Sequence, residues 1–355
     1  MKHWLSHLPW LLSALFAAAT ADAGVTGQQR AEAVAHDLVG SRAPRMVLKT
    51  IDGKSIDLGS LYGKKAVYLK FWATWCVPCR QQMPHFERTY ESAGSDLAVI
   101  AVNAGFNDSI DDVRTYRKQL GIKMPIVIDD GTLGAALDLR VTPQHVVIGR
   151  DGRIQYVGHL ANERLDAALQ AARSSPPAGA AAAAGQSDGT VGAGKTSGHG
   201  AGPGDGDRAP QLSATTLNGS QFNLQEPAGP QHPAVLVFLS PWCESYLETS
   251  RAAVSASCRD ARVQIDALAK AHPQVRWLGI ASGIWATRED LGKYQADYKV
   301  TIPLTLDESG ALFRSFRVRN VPTVILIDAQ GKVERRIEGS DPQLQAKLQA
   351  VTLER

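Results

Sequence analysis

The two halves of the sequence repeat one pattern of strands and helices. Each half contains an apolar strand that ends in a Trp-Cys pair, KAVYLKFWATWC in the first half and PAVLVFLSPWC in the second. A helical stretch, a second apolar strand and a polar helix follow, and each half then has a hairpin with its turn at Asp151-Gly152 or at Gln330-Gly331. Strands that alternate with helices and end in a hairpin predict an α/β fold, in which helices cover both faces of a mixed sheet.

The chain length of 355 residues accommodates two such domains. Between them, residues 174–207 contain no aromatic residue and only Val191 as an apolar residue other than alanine. This composition buries too little surface to offset the entropy of ordering, so it predicts a disordered linker rich in Gly, Ala and Ser. The predicted segments are a signal peptide at 1–23, an N-terminal extension at 24–42, a first domain at 43–173, the linker at 174–207 and a second domain at 208–355.

The first residues have the pattern of an export signal. Lys2 precedes the apolar run LPWLLSALFAAATA, and ADA at 21–23 fits an A-x-A cleavage site. We therefore expect a periplasmic protein, in a compartment where disulfides persist. The alternative is a segment that stays uncleaved and anchors the chain, although the run is shorter than the roughly 20 residues that span a bilayer.

Charge and loop composition argue against two classes of partner. The formal net charge is +3, from 38 basic and 35 acidic residues that form no basic block, so we expect no nucleic-acid partner. The sequence GTVGAGKT at 189–196 has the spacing of a phosphate-binding loop. However, no predicted strand precedes it and no predicted helix follows it, so we expect no nucleotide partner and no cofactor.

Cys76 and Cys79 have the spacing and location of a redox pair. They are separated by two residues at the point where a strand gives way to a helix. A helix N-terminus lowers the pKa of a thiol, so Cys76 is the expected nucleophile and Cys79 the expected resolving thiol. Pro143, in VTPQ before a later apolar strand, is a candidate cis-proline that lies against the disulfide and leaves the backbone of Thr142 free to pair with a substrate strand.

This combination of motifs resembles a known family. FWATWCVPC with the later VTP is similar to the thioredoxin superfamily, and the earlier IDGKSIDL resembles its exported TlpA-like branch. The resemblance covers residues 43–173 and 208–355, so it implies two tandem thioredoxin-like folds. It also implies disulfide exchange at Cys76 and Cys79, with exported disulfide-containing proteins as substrates and a membrane thiol transporter as electron donor.

Four residues around the motif extend or depart from this resemblance. Trp72 and Trp75 match tryptophans beside the site in the superfamily, and both core packing and a role in the site stay open for them. Lys70 stands where thioredoxins carry a buried acid that helps to move protons, and Gln82 stands where branch members that serve cytochrome c maturation often carry a glutamate. General acid–base catalysis therefore comes from other groups, or exchange is slower.

Four further residues near the motif are predicted to be structural. We expect His85 and His145 at the protein surface or at a sheet edge rather than in catalysis. Met83 and Phe86 stand at helical spacing, which predicts that both side chains belong to the core.

The second half keeps only part of the motif. In PWCESY the first cysteine survives as Cys243, while Tyr246 stands at the position of the second. The later proline is retained as Pro322 in NVPT.

Cys258 is the remaining cysteine, 15 residues after Cys243. Along one continuous helix the two sulfurs would be about 22 Å apart, so a disulfide between them requires a break in the helix. SASCRD predicts this break at Ser257, which would cap a new helix with Asp260.

Four interpretations of Cys243 and Cys258 stay open. They form a structural disulfide, or a slower redox pair that exchanges with Cys76 and Cys79, or Cys243 acts alone as a thiol peroxidase, or both are inert buried thiols. A zinc site that uses all four cysteines is disfavoured because the second pair lacks CxxC spacing, so we expect no metal. The predicted function is an exported thiol–disulfide oxidoreductase that uses Cys76 and Cys79, and the alternative gives the second domain a role in binding the client protein.

Overall fold

The computed structural model describes residues 26–177, 202–225 and 233–339, together with 341, 343, 346 and 347. The predicted signal peptide and residues 178–201 of the predicted linker, which include the phosphate-loop-like segment, lie outside these residues. None of the helices among the described residues combines the length and the apolar character needed to span a bilayer.

The first domain has a five-stranded mixed sheet preceded by a helix and a small hairpin. Its elements are α1 (Gly27–Leu38), β1 (Val47–Lys49), β2 (Ser55–Asp57), α2 (Leu58–Leu61), β3 (Ala66–Trp72), α3 (Val77–Glu91), β4 (Leu97–Asn103), α4 (Ile110–Leu120), β5 (Ile126–Ile128), α5 (Thr132–Ala136), β6 (Gln144–Ile148), β7 (Ile154–Gly158) and α6 (Glu163–Ser174). The strand order is β5-β4-β3-β6-β7. β3 is parallel to β4 and antiparallel to β6, which makes the sheet mixed as predicted.

The second domain repeats this arrangement. Its elements are β8 (Ser213–Thr215), β9 (Gln221–Asn223), β10 (Ala234–Leu239), α7 (Cys243–Tyr246), α8 (Ala252–Ala271), β11 (Arg276–Ser282), α9 (Arg288–Asp297), β12 (Leu304–Asp307), α10 (Ala311–Ser315), β13 (Thr323–Ile327) and β14 (Val333–Glu338). The strand order is β12-β11-β10-β13-β14, with β10 parallel to β11 and antiparallel to β13. The tandem α/β fold predicted from the sequence repeat is therefore confirmed.

The position of β3 at the centre of the sheet explains why the sequence of this strand is almost continuously apolar. All seven of its residues are buried. Tyr68 and Trp72 pack in one apolar cluster with Phe86 of α3, whereas Leu69 packs in a second cluster with Leu133 of α5. Alternate side chains thus point into two separate cores, one on each face of the sheet.

Two sequence predictions about this framework need correction. The prediction places His145 at the surface or a sheet edge, but it is fully buried in β6, which lies between β3 and β7.

Residues 202–207 are predicted as the end of the linker, but they lie along β14. The N–H of Gly206 donates to the carbonyl of Val333, and the N–H of Val333 donates to the carbonyl of Asp207, both at 2.7 Å. These bonds satisfy backbone groups at the edge of the second sheet.

Candidate active site

The first cysteine pair is positioned by the start of α3. Cys76 and Cys79 form a disulfide with their Cα atoms 5.2 Å apart. Cys76 is the N-cap of the 15-residue helix, and its Sγ accepts the N–H of Cys79 at 3.2 Å. After reduction, this N–H and the helix dipole stabilise negative charge on the Cys76 sulfur. The local geometry therefore favours Cys76 as the attacking thiolate.

The loop before β6 brings two further predicted residues, Thr142 and Pro143, to this pair. The Thr142–Pro143 peptide bond is cis, and the carbonyl oxygen of Thr142 lies 3.4 Å from the Cys76 Sγ. On the other side, Trp75 is buried and its Nε1 donates to the carbonyl of Phe106 at 2.8 Å. Of the predicted residues, Thr142 thus contacts Cys76 through its backbone carbonyl, Pro143 follows across the cis peptide bond, and Trp75 directly precedes Cys76.

A buried hydrogen-bond network lies behind the site, and the sequence analysis did not find it. His145 contacts the hydroxyl of Tyr68 through Nδ1 and the side-chain oxygen of Gln82 through Nε2, each at 2.8 Å. Gln82 in turn donates to the carbonyl of His159 at 3.2 Å, and the ring of His159 donates to the carbonyl of Pro143 at 2.7 Å. The network connects α3 to the cis-proline loop. Its only sequence signal was a histidine inside the apolar strand QHVVI.

Lys70 is a basic residue whose side chain is buried in the core of the first domain. It is fully buried, its Nζ has no hydrogen-bond partner among the residues that the structure describes, and the Nζ lies 5.3 Å from the centroid of the Phe86 ring. Burial lowers the pKa of Lys70 to about 7. Burial, and then the neighbouring Lys70, hold the pKa of His145 well below its ordinary value. Lys70 is therefore poised between its charged and neutral forms near neutral pH.

The second cysteine pair is also bonded, but its helix break differs from the prediction. Cys243 and Cys258 form a disulfide with Cα atoms 6.2 Å apart. The chain breaks at 247–251, between α7 and α8, and not at Ser257. The Ser257 hydroxyl donates to the carbonyl of Ala253 inside α8, so Ser257 caps no helix. Cys258 consequently lies within α8 rather than at a helix N-terminus.

The bond between Cys243 and Cys258 excludes two of the four interpretations of the second pair. Because Cys243 is bonded to Cys258, neither a free peroxidatic Cys243 nor two unbonded thiols describes this structure. Pro322 is preceded by a cis peptide bond, as Pro143 is, so the second domain retains the loop without the CxxC. A structural disulfide and a slow redox pair remain as interpretations.

A model of one protein family matches both halves of the chain. The family is described as Redoxin, and the matches cover residues 38–171 and 204–351. The chain belongs to the Redoxin family. Since each half of this Redoxin protein is matched separately, the predicted pair of tandem thioredoxin-like domains is confirmed.

Known proteins resemble this Redoxin protein over a length close to one domain. The thioredoxin-like protein YneN of Bacillus subtilis (strain 168) is 35% identical over 133 residues, which are 37% of this chain and 78% of the relative. The thiol-disulfide oxidoreductase ResA of Bacillus anthracis is 32% identical over 136 residues, 37% of this chain and 77% of the relative. Among solved structures, a thiol:disulfide interchange protein of Chlorobium tepidum TLS is 30% identical, with a TM-score of 0.32, and covers 38% of this chain and 96% of that one.

The two disulfides are expected to differ in reducibility. Only Cys76 is an N-cap with a hydrogen-bonded sulfur, so only the first pair gains a stabilised thiolate on reduction. In a graded series of thiol redox buffers, we expect Cys76 and Cys79 to become reduced while Cys243 and Cys258 stay bonded. Alkylation followed by peptide mass mapping measures this. Overlapping titration of both pairs would instead support a redox role for the second.

Proposed function

We propose that this protein is an exported thiol–disulfide oxidoreductase that exchanges or reduces disulfides of other proteins through Cys76 and Cys79. The observation that carries the proposal is the position of Cys76, at the N-cap of α3, with its sulfur hydrogen-bonded to the N–H of Cys79 and beside the carbonyl of Thr142. The names of the relatives YneN and ResA support the same chemistry. The export pattern of the first residues supports a periplasmic location.

The reduction proceeds in two exchange steps. The Cys76 thiolate attacks one sulfur of the client disulfide, forms a mixed disulfide and releases the other client sulfur as a thiolate, which takes up a proton. Cys79 then loses its proton and attacks the Cys76 sulfur, so the Cys76–Cys79 disulfide forms and the second client thiol leaves. The client disulfide gains two electrons and two protons, and the enzyme dithiol loses them. A membrane thiol transporter is the proposed donor that restores the dithiol.

The polar network supplies groups close to these steps. Gln82 of α3 bonds to His145 of β6, and the ring of His159 donates to the carbonyl of Pro143 in the cis-proline loop. Lys70, with its pKa lowered to about 7 by burial, is the group of this core whose charge changes near neutral pH. Gln82, His145 and His159 connect α3 to the cis-proline loop and so keep that loop beside the disulfide.

Removal of the resolving thiol is expected to trap the client. In a Cys79→Ser variant the second exchange step is blocked, so a covalent adduct between Cys76 and a client such as insulin should accumulate. Non-reducing electrophoresis and peptide mass mapping measure the adduct. We expect no such adduct in Cys76→Ser, and an adduct at Cys243 or none at all would refute the assignment of Cys76.

A further inference from the structure

The two domains face each other through equivalent loops. In the first domain the loop after β4 carries Asn107, and in the second the loop after β11 carries Trp285; both residues have a positive φ and lie two residues before a helix N-cap. The N–H of Asn107 donates to the carbonyl of Arg319, and the N–H of Trp285 donates to the carbonyl of Arg140, both at 2.9 Å. Arg140 and Arg319 each stand three residues before a cis-proline. Each of these loops thus packs against the cis-proline loop of the other domain.

Further contacts reach both backbone and side-chain groups of the two cis-proline loops. The side-chain oxygen of Asn107 accepts the N–H of Val321 at 2.8 Å, so one residue fills both a donor and an acceptor of the second domain's loop. On the opposite side, the indole Nε1 of Trp285 donates to the hydroxyl of Thr142 at 3.0 Å. Thr142 is the residue whose carbonyl lies beside the Cys76 sulfur. The second domain thus contacts the Arg140 carbonyl and the Thr142 hydroxyl of the loop where an extended peptide would pair.

Aromatic side chains complete the cover over the disulfide. The ring of Trp242 lies 5.0 Å from the ring of Trp75, centroid to centroid. The hydroxyl of Tyr246 accepts the N–H of Val77, the first residue of α3, at 3.2 Å. With this cover in place Cys76 is 1% exposed. A large client disulfide therefore has no approach to the Cys76 sulfur in this arrangement.

Charged contacts hold the domains together at two further points. Arg251 of the second domain donates to the buried carboxylate of Asp108 at 2.9 Å and to the hydroxyl of Thr74 at 2.6 Å, next to the CxxC. At the other end, Arg30 of α1 pairs with Asp290 of α9 at 2.8 Å. A charge-assisted hydrogen bond of this kind contributes more than a neutral one and can be removed without touching a cysteine.

We propose that the second domain is a built-in occupant of the client-binding surface of the first, and that an extended segment of a disulfide-containing protein reaches Cys76 by displacing it. This inference rests on the proposed function. When the second domain moves away, the uncovered surface of the first domain presents the backbone groups around Thr142 and the ring of Trp75. These groups fit an extended polypeptide with apolar side chains on either side of its cysteine. The second domain lacks the CxxC, but its own cis-proline loop forms the other half of the interface by binding Asn107 of the first domain.

The test measures how fast Cys76 reacts with iodoacetamide in the full-length Cys79→Ser protein, where Cys76 is the free thiol while Cys243 and Cys258 stay bonded. Two additional changes weaken the interface separately, Arg251→Ala and Asn107→Gly. Glycine keeps the left-handed backbone of Asn107 and its N–H bond to Arg319, but removes the side chain whose oxygen accepts the N–H of Val321. The matched control is Lys270→Ala, which removes an exposed positive charge from the other end of α8.

We expect alkylation of Cys76 to become about tenfold faster in Arg251→Ala, because a lost contact of about 1.4 kcal/mol shifts an opening equilibrium tenfold. A smaller increase is expected in Asn107→Gly and no change in Lys270→Ala. Mixed-disulfide formation with insulin should accelerate in parallel.

Unchanged alkylation in both interface variants would overturn the proposal, and so would an equal increase in Lys270→Ala. Each variant is first checked for native circular dichroism, and because the two act at different contacts, a variant that fails to fold leaves the other to decide the question. Failure of the proposed function has a different signature. In that case no variant forms the insulin adduct, whatever the alkylation rates are.

Discussion

A Cys76→Ser variant is expected to reduce insulin disulfides at least about a thousandfold more slowly than the wild type. A serine hydroxyl stays protonated at neutral pH and cannot form the mixed disulfide, so the first exchange step is lost completely. The helix N-terminus that stabilises the Cys76 thiolate has no comparable effect on a hydroxyl. Insulin turbidity with an excess of a small thiol reductant measures the rate.

The matched control replaces the second pair, as Cys243→Ser with Cys258→Ser in one protein. These two cysteines are bonded to each other and lie outside the CxxC helix, so reduction of insulin should stay close to the wild-type rate. A loss in this control as large as the loss in Cys76→Ser would show that electrons pass through the second pair. Normal turnover in Cys76→Ser would remove the basis of the proposed function.

A Lys70→Met variant is expected to be more stable than the wild type at neutral pH, with a free energy of unfolding that is higher by about 3 kcal/mol. Methionine has a similar length and volume, and it removes a buried nitrogen that has no hydrogen-bond partner. Urea unfolding of the oxidised protein, followed by circular dichroism, measures the difference. An exposed lysine changed in the same way, Lys64→Met, is the control and should have little effect.

The pH dependence separates this charge effect from a simple gain in packing. The pKa of Lys70 is about 7 in the folded chain and 10.5 in its ordinary state, so between these values the unfolded chain binds the proton and the folded chain does not. The free energy of unfolding of the wild type therefore rises with pH, by about 2 kcal/mol from pH 7 to pH 9. This rise should be absent in Lys70→Met. Since His145 also has a lowered pKa, its contribution appears at more acidic pH, below its ordinary value of 6.5. An equal rise with pH in Lys70→Met would contradict this account.

The fold and the first cysteine pair were predictable because their signals are local in the sequence. Alternation of apolar strands and helices reports which faces are buried, and β3 needs an apolar side chain at nearly every position because both of its faces are covered. The start of α3 after a strand places Cys76 at a helix N-terminus whatever the rest of the chain does. The packing of Met83 and Phe86 followed from helical spacing and is confirmed by their burial.

The position of the break before α8 was not predictable in the same way. Ser257 and Asp260 match a capping pattern, but the chain instead breaks at 247–251. The Ser255 hydroxyl donates to the carbonyl of Glu244, and Arg262 pairs with the carboxylate of Glu244. These contacts, like the disulfide, join α7 to α8, so tertiary contacts outweighed a local capping preference.

The sequence by itself determined the tandem α/β folds, the CxxC at the start of a helix and the loss of that motif from the second half, because each depends on neighbouring residues and on periodicity. The tertiary structure alone decided that His145 and Lys70 lie buried behind the site and that Asn107 and Trp285 occupy the opposite cis-proline loops. Asn107 and Val321 are 214 residues apart in the sequence. No local pattern encodes a contact of that range, since it depends on how two completed domains pack against each other.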